Sequence, residues 1–243
     1  MTTRLGGVST APYDSLNLGY STLDDRALVM QNERITAEAL GIAAEDVCWV
    51  HQVHGIDVHH AESLPSNAPL GSTRIMGDAV VSHTPGLVCA VKVADCMPAL
   101  FAARDGSAVG AAHAGWRGLS AGVLERTVAA LNVAPAQLFA WMGPCIGPSA
   151  FEVGEEVRAA FIAHDADAAQ HFVPGKNSGK FLCDLYALAR QRLHGIGVTD
   201  VSGGEYCTYT QAELFFSHRR DRVTGRMAAC VWIDRVGREG SPP

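Results

Sequence analysis

Hydrophobic positions change their period along this chain, and the changes mark out elements. Across residues 24–40, Leu28, Ile35 and Leu40 recur among charged residues behind an Asp, which predicts an amphipathic helix. Residues 47–112 then carry short runs rich in Val and Ala that stop at Gly or Pro, the pattern of successive strands. A second helix is predicted to start near Gly118 and to run through Val123, Leu124, Val128 and Leu131. A strand over 138–142, helices over 152–163 and 185–194, and late strands over 198–201 and 227–233 complete the order. Strands bunched in the middle with helices between and around them predict α+β rather than a regular βαβ alternation. No linker, repeat or low-complexity tract divides the chain, so residues 1–243 read as a single domain with 237–243 as a frayed tail. The chain opens abruptly on Thr3-Arg4-Leu5-Gly6-Gly7-Val8-Ser9, which already reads as domain interior and suggests that an N-terminal strand is missing.

Composition narrows the partners. The hydrophobic share of 48% suffices for a buried core, and the formal net charge of -6 comes with basic residues scattered rather than clustered. That distribution argues against nucleic acid or an anionic membrane and for a small-molecule substrate. Seven cysteines in irregular spacing, with no apolar leader behind Met1, predict reduced thiols and a cytoplasmic protein rather than a disulfide framework. No apolar stretch approaches the ~20 residues that cross a bilayer. The sequence leaves the oligomeric state open.

Candidate chemistry sits at the ends of three apolar runs. His54 ends Val47-Cys48-Trp49-Val50-His51-Gln52-Val53-His54, Cys96 follows Val91-Lys92-Val93-Ala94-Asp95, and His113 closes Ala108-Val109-Gly110-Ala111-Ala112-His113. Strands that end beside one another would bring two imidazoles and a thiolate together, a donor set suited to Zn or Cu. Three protein ligands leave one position open, as in a catalytic site. Alternation along 47–53 allows His54 to face such a site, without choosing it over His51. Cys96 has three readings: a buried structural thiol, a metal thiolate, or a nucleophile beside a histidine. Between Gly115 and Gly118 a strand turns into a helix, and the amides of that helix start with Arg117 beside them would make an anion site. Asp78, at a strand entry, is a candidate general base or substrate contact, against the commoner role of capping a turn. His60-Ala61-Glu62 and Pro144-Cys145 each supply half of a zinc deaminase signature, but Pro148 stands where the second cysteine belongs, so both read as coincidence. Residues 143–148 read instead as a rigid loop that could line a pocket. The aromatic and basic residues of 207–210 and 215–221 could form a nucleobase wall or a plain core edge.

Taken together these strings resemble the YfiH family, whose members are called multicopper polyphenol oxidases or laccase-like proteins, purine nucleoside phosphorylases and peptidoglycan editing factors. The matching blocks include Gly6-Gly7-Val8-Ser9, Asn17-Leu18-Gly19, Gln52-Val53-His54-Gly55, Gly77-Asp78-Ala79, Ala94-Asp95-Cys96 and His113-Ala114-Gly115-Trp116-Arg117-Gly118. The resemblance implies His54, Cys96 and His113 as ligands of Zn or Cu, and an α+β fold with a central β-sandwich of mixed sheets flanked by helices. It implies Arg4, Asn17, Asp78 and Arg117 as substrate or phosphate contacts. It also implies a metal-dependent purine nucleoside enzyme that phosphorolyses adenosine, inosine or methylthioadenosine and deaminates adenosine. Two alternatives stand beside that activity: a hydrolase that uses Cys96 to remove a mis-incorporated amino acid from cell-wall precursors, and a laccase-like polyphenol oxidase. Against the last, the paired His-x-His ligands of multicopper oxidases do not occur here.

Overall fold

A computed structural model describes residues 1–64 and 75–235, so the expected tail over 237–243 lies outside the described residues. The strands are β1 (Val47–Cys48), β2 (Val58–His60), β3 (Ala79–Ser82), β4 (Val88–Val93), β5 (Met97–Ala103), β6 (Val109–Ala114), β7 (Leu138–Met142), β8 (Glu152–Gly154), β9 (Phe172–Pro174), β10 (Lys180–Cys183), β11 (Asp200–Gly203) and β12 (Met227–Trp232). The helices are α1 (Arg26–Ala39), α2 (Trp116–Ala121), α3 (Val123–Ala130), α4 (Glu155–Ile162), α5 (Leu185–Gly195) and α6 (His218–Asp221).

A six-stranded sheet in the order β11-β7-β5-β6-β3-β2 forms the middle of the molecule, antiparallel through β7, β5, β6 and β3 and parallel at both edges. One face carries Val81, Ala99, Phe101, Ala112, Leu138 and Met142 against Leu124, Val128 and Leu193 of the covering helices. The other face carries Val80, Val109 and Ala111 against Cys89 and Val91 of β4 and Ala229 of β12. The three-stranded sheet β1-β4-β12, mixed like the first, therefore stacks on the central one. The fold is an α+β domain with a mixed β-sandwich flanked by helices, as the resemblance implied.

Several boundaries differ from expectation. The predicted helix over 24–40 is α1, begun by Asp25, whose carboxylate accepts the Ala27 N–H. The long second helix is instead two, α2 and α3, split at Gly122 with a φ of 103°. Residues 152–154 pair as β8 before α4 begins, because Glu152 and Val153 lie opposite Leu182 and Phe181 of β10. The small antiparallel sheet β8-β10-β9 was not anticipated. Only Val47–Cys48 of the expected strand over 47–53 is regular, so His54 leaves from a turn rather than a strand end. Pro98 does not close the run before it but lies within β5, opposite His113. The seven cysteines are all free, and among the described residues no helix is long and apolar enough to cross a membrane.

Candidate metal centre

Cys96 and His113 come together because β5 and β6 are adjacent antiparallel strands. Met97 pairs with Ala114, which puts Cys96 just before β5 beside the end of β6. Along β6, Ala112 and Ala114 point to the helical layer, so His113 points with Ala111 to the opposite face. His54 reaches the same point from its turn, with a φ of 62°, and Asp95 beside Cys96 also has a left-handed φ of 85°. Non-glycine residues in that region are uncommon, and two of them flanking one cluster mark an imposed geometry.

The three donor atoms lie within 4.8 Å of one another, with His54 Nε2 3.7 Å from Cys96 Sγ. Tetrahedral zinc with ordinary Zn–N and Zn–S bonds separates its donors by about 3.3–3.6 Å, so a small contraction would close these groups on an ion. Gly115 leaves the room they need: a Cβ there would stand 2.8 Å from Cys96 Sγ and 3.0 Å from His54. The donor set and its spacing fit zinc or copper.

Burial alone would hold the Cys96 thiol neutral, but the His113 and His54 rings outweigh it and bring the thiol down to about 6. For His113, burial disfavours the charged ring, and the Cys96 thiolate together with Asp78 outweighs burial and raises it to about 9. Without an ion the pair is therefore a thiolate beside an imidazolium.

These groups open into a cavity of about 470 Å³ whose lining includes Tyr20, Trp49, His51, Gln52, Trp116 and Phe151 together with four cationic side chains. Three of the four cations are engaged within the protein. Lys92 pairs with Glu33 at 3.1 Å, Arg219 donates to the Glu152 carbonyl, and Arg226 donates to the Thr224 and Gly225 carbonyls. Arg117 lies over the Trp116 ring at 4.3 Å, and among the described residues its guanidinium has no hydrogen-bond or ion-pair partner. Its helix, α2, has only six residues, which leaves the side chain rather than the helix start as the candidate for holding an anion.

The other predicted contacts lie elsewhere. Arg4 is tied to the Asp14 and Ala212 carbonyls and to the Asp14 carboxylate, and stacks on Phe216. Fully buried Asn17 bonds Thr22, Asp24 and the Gly19 and Arg226 amides. Neither lines the cavity, because both are consumed in holding the N-terminal segment together. Asp78 is also fully buried; it accepts from His113 Nδ1 and from the amides of Val53, His54 and Gly55, and it has no face on the cavity. It cannot serve as a general base on substrate from there.

Asp95, which the sequence offers only as the neighbour of Cys96, is a tie between segments. Its carboxylate accepts from Thr208 Oγ1 and from the Arg219 amide, both at 2.6 Å. Those bonds tie the 207–219 segment to the Cys96 loop and bring His218 and Arg219 into the cavity wall. Phe215 and Phe216 of that segment are buried with Met227 and Val93 as a core edge. Ile146 brings the 143–148 loop to the cavity, its amide donating to the Asp95 carbonyl.

Comparison with known proteins places the whole arrangement. A purine nucleoside phosphorylase YfiH of Escherichia coli is 51% identical over 231 residues, which cover 95% of this chain and 91% of that protein. A purine nucleoside phosphorylase of Pseudomonas aeruginosa is 50% identical, covering 96% and 92%. Among solved structures, a Neisseria meningitidis protein superposes with a TM-score of 0.90 at 46% identity, covering 97% of this chain and 93% of that one. YlmD from Geobacillus stearothermophilus superposes with a TM-score of 0.85 at 32% identity, covering 96% and 90%. The family model described as multi-copper polyphenol oxidoreductase laccase matches residues 1–234, and with these relatives it shows that the chain belongs to that family, the YfiH family.

Proposed function

We propose that this protein is a metal-dependent purine nucleoside enzyme whose principal reaction is phosphorolysis, with His54, Cys96 and His113 as metal ligands. The observation that carries the reading is one cavity in which a three-donor cluster with an open side shares its walls with aromatic rings and an uncommitted guanidinium. Relatives at about half identity that carry the name purine nucleoside phosphorylase support the substrate class. A bound divalent ion would supply Lewis acidity. The chain's own side chains do the rest. Arg117 holds phosphate through charge-assisted hydrogen bonds, Trp49, Tyr20 and Phe151 supply flat apolar wall for the purine, and the cavity keeps both reactants at short range. Adenosine deamination in the same cavity is the lesser reaction of this proposal.

The test is incubation of zinc-loaded and copper-loaded protein with adenosine or inosine, with and without phosphate, followed by chromatography. Free base and ribose 1-phosphate that appear only with phosphate are expected. Inosine as the sole product from adenosine would make the enzyme a deaminase, and no product with either metal would sink the proposal.

A second reading rests on a different observation. Cys96, His113 and Asp78 line up as thiolate, imidazolium and carboxylate, with His113 Nδ1 2.8 Å from Asp78. In a hydrolase acting on an amide of a cell-wall precursor, Cys96 would be the nucleophile and His113 the base that already holds its proton and gives it to the leaving amine. That activity would survive chelators, which a metal enzyme would not, while alkylation of Cys96 would abolish either. No structural observation favours the laccase reading, which rests on the family description.

A further inference from the structure

We infer that Asp78 is the positioning residue of the centre, one carboxylate that sets the geometry of His54 and the tautomer of His113 together. The inference rests on the proposed metal site and assigns a role to a group that never touches the ion. An ionised carboxylate has about four lone-pair sites, and all four are taken here. Oδ1 accepts the His54 amide at 2.9 Å and His113 Nδ1 at 2.8 Å, while Oδ2 accepts the amides of Val53 at 3.1 Å and Gly55 at 2.7 Å.

Each side of this arrangement does separate work. Three consecutive amides converging on one anion hold the 53–55 turn in the conformation that gives His54 its φ of 62° and aims its ring at Cys96. His113 donates Nδ1–H to the same anion, which leaves Nε2 as its metal-binding nitrogen. The Asp78 main chain adds a third constraint, because its carbonyl accepts the His113 amide at 2.7 Å. His54 and His113 consequently share one reference point, and their rings meet edge to face with centroids 4.8 Å apart. Burial strengthens the device, since Asp78 is fully enclosed and its hydrogen bonds face no competition from water.

Asn at this position has nearly the same shape and cannot do both jobs. With its NH2 in the place of Oδ2 it faces the Val53 and Gly55 donors and releases the turn. With its NH2 in the place of Oδ1 it faces the His54 amide and forces His113 to accept at Nδ1, which moves the ring proton to the nitrogen that should bind metal.

The experiment compares full-length wild type with Asp78→Asn for zinc affinity, by competition with a chromophoric chelator, and for the visible spectrum of the cobalt-substituted protein. A 10- to 100-fold weaker affinity with an altered cobalt spectrum is expected, the usual effect of removing such a partner. Equal affinity and an unchanged spectrum would overturn the inference. Where Asp78→Asn fails to fold, nitrogen-detected NMR of wild-type His113 decides instead. A proton on Nδ1 of the zinc-loaded or neutral ring is expected, and a proton on Nε2 would refute the assignment. If wild type takes up no zinc, the proposed function fails, and the same tautomer measurement on metal-free protein still decides on Asp78 when it is made above pH 9, where the ring is neutral.

Discussion

Cys96 is where the chemistry of single residues is most exposed to test. Its thiol is held near 6 instead of near 9, so in metal-free protein the reactive thiolate persists as pH falls until about 6 and is lost below it. Iodoacetamide should accordingly modify Cys96 with a half-maximal rate near pH 6. In a His113→Asn variant, which loses the largest charge-based cause, that midpoint should move toward the ordinary thiol range. Arg117 makes a different kind of claim, because among the described residues its guanidinium has no hydrogen-bond or ion-pair partner and rests only on the Trp116 ring. Arg117→Met keeps a stem to lie on Trp116 and removes the charge-assisted bonds, worth about 1.5–3 kcal/mol. Steady-state kinetics should show a KM for phosphate raised about 10- to 100-fold while the zinc content stays at the wild-type level. Cys96 and His113 were conspicuous by type at the edges of apolar runs, whereas His54 was separated from His51 only by the family resemblance. The duties of Asp78, Arg4 and Asn17 were not legible, because a carboxylate or amide that serves the backbone looks in sequence the same as one that serves a substrate.

Gly122 sets the limit of legibility among the elements. The apolar spacing of Leu119, Val123, Leu124 and Val128 runs on through it at helical period, so periodicity alone reads one helix where the backbone makes two. Its φ of 103° suits glycine, and Gly122→Ala should cost about 1–2 kcal/mol in urea unfolding. Activity per folded molecule should change little, since Gly122 does not line the cavity. At the other end of α2, Gly115 has an ordinary extended backbone, and its constraint is space rather than conformation. The turn from 47 to 55 misled for the opposite reason. Val47, Val50 and Val53 look like strand, yet only Val47 and Cys48 form one and His51 adds a single bridge to Met76, because the Asp78 carboxylate binds the 53–55 amides that a ladder would otherwise use. The short strands β9 and β10 carry Pro174, Lys180 and Cys183 with no clean alternation, and they are strands only through their pairing, β10 on β8 and β9 on β10.

At the scale of the molecule, the sandwich was implied by family resemblance and could not have been read from alternation. β3 and β6 are buried at every position, because the helical layer covers one face of the central sheet and β1-β4-β12 covers the other. A strand covered on both sides loses its polar period, and with it the signal that says which face is which. The same architecture disperses the three donors: His54 and Cys96 stand 42 residues apart, and only the packed sheet with its tethered turn reunites them. The unfolded chain thus keeps the three donors apart, and an ion that binds this centre loses that ligand set once the fold is lost. Zinc should then act as a thermodynamic ballast for the native state, each tenfold rise in free ion above the dissociation constant adding about 1.4 kcal/mol. Calorimetric scans at buffered zinc levels should show a Tm that climbs without levelling off, and chelation should lower it while leaving a folded protein. A Tm indifferent to zinc would mean that the centre is not a zinc site, and would return Cys96 to the company of nucleophiles.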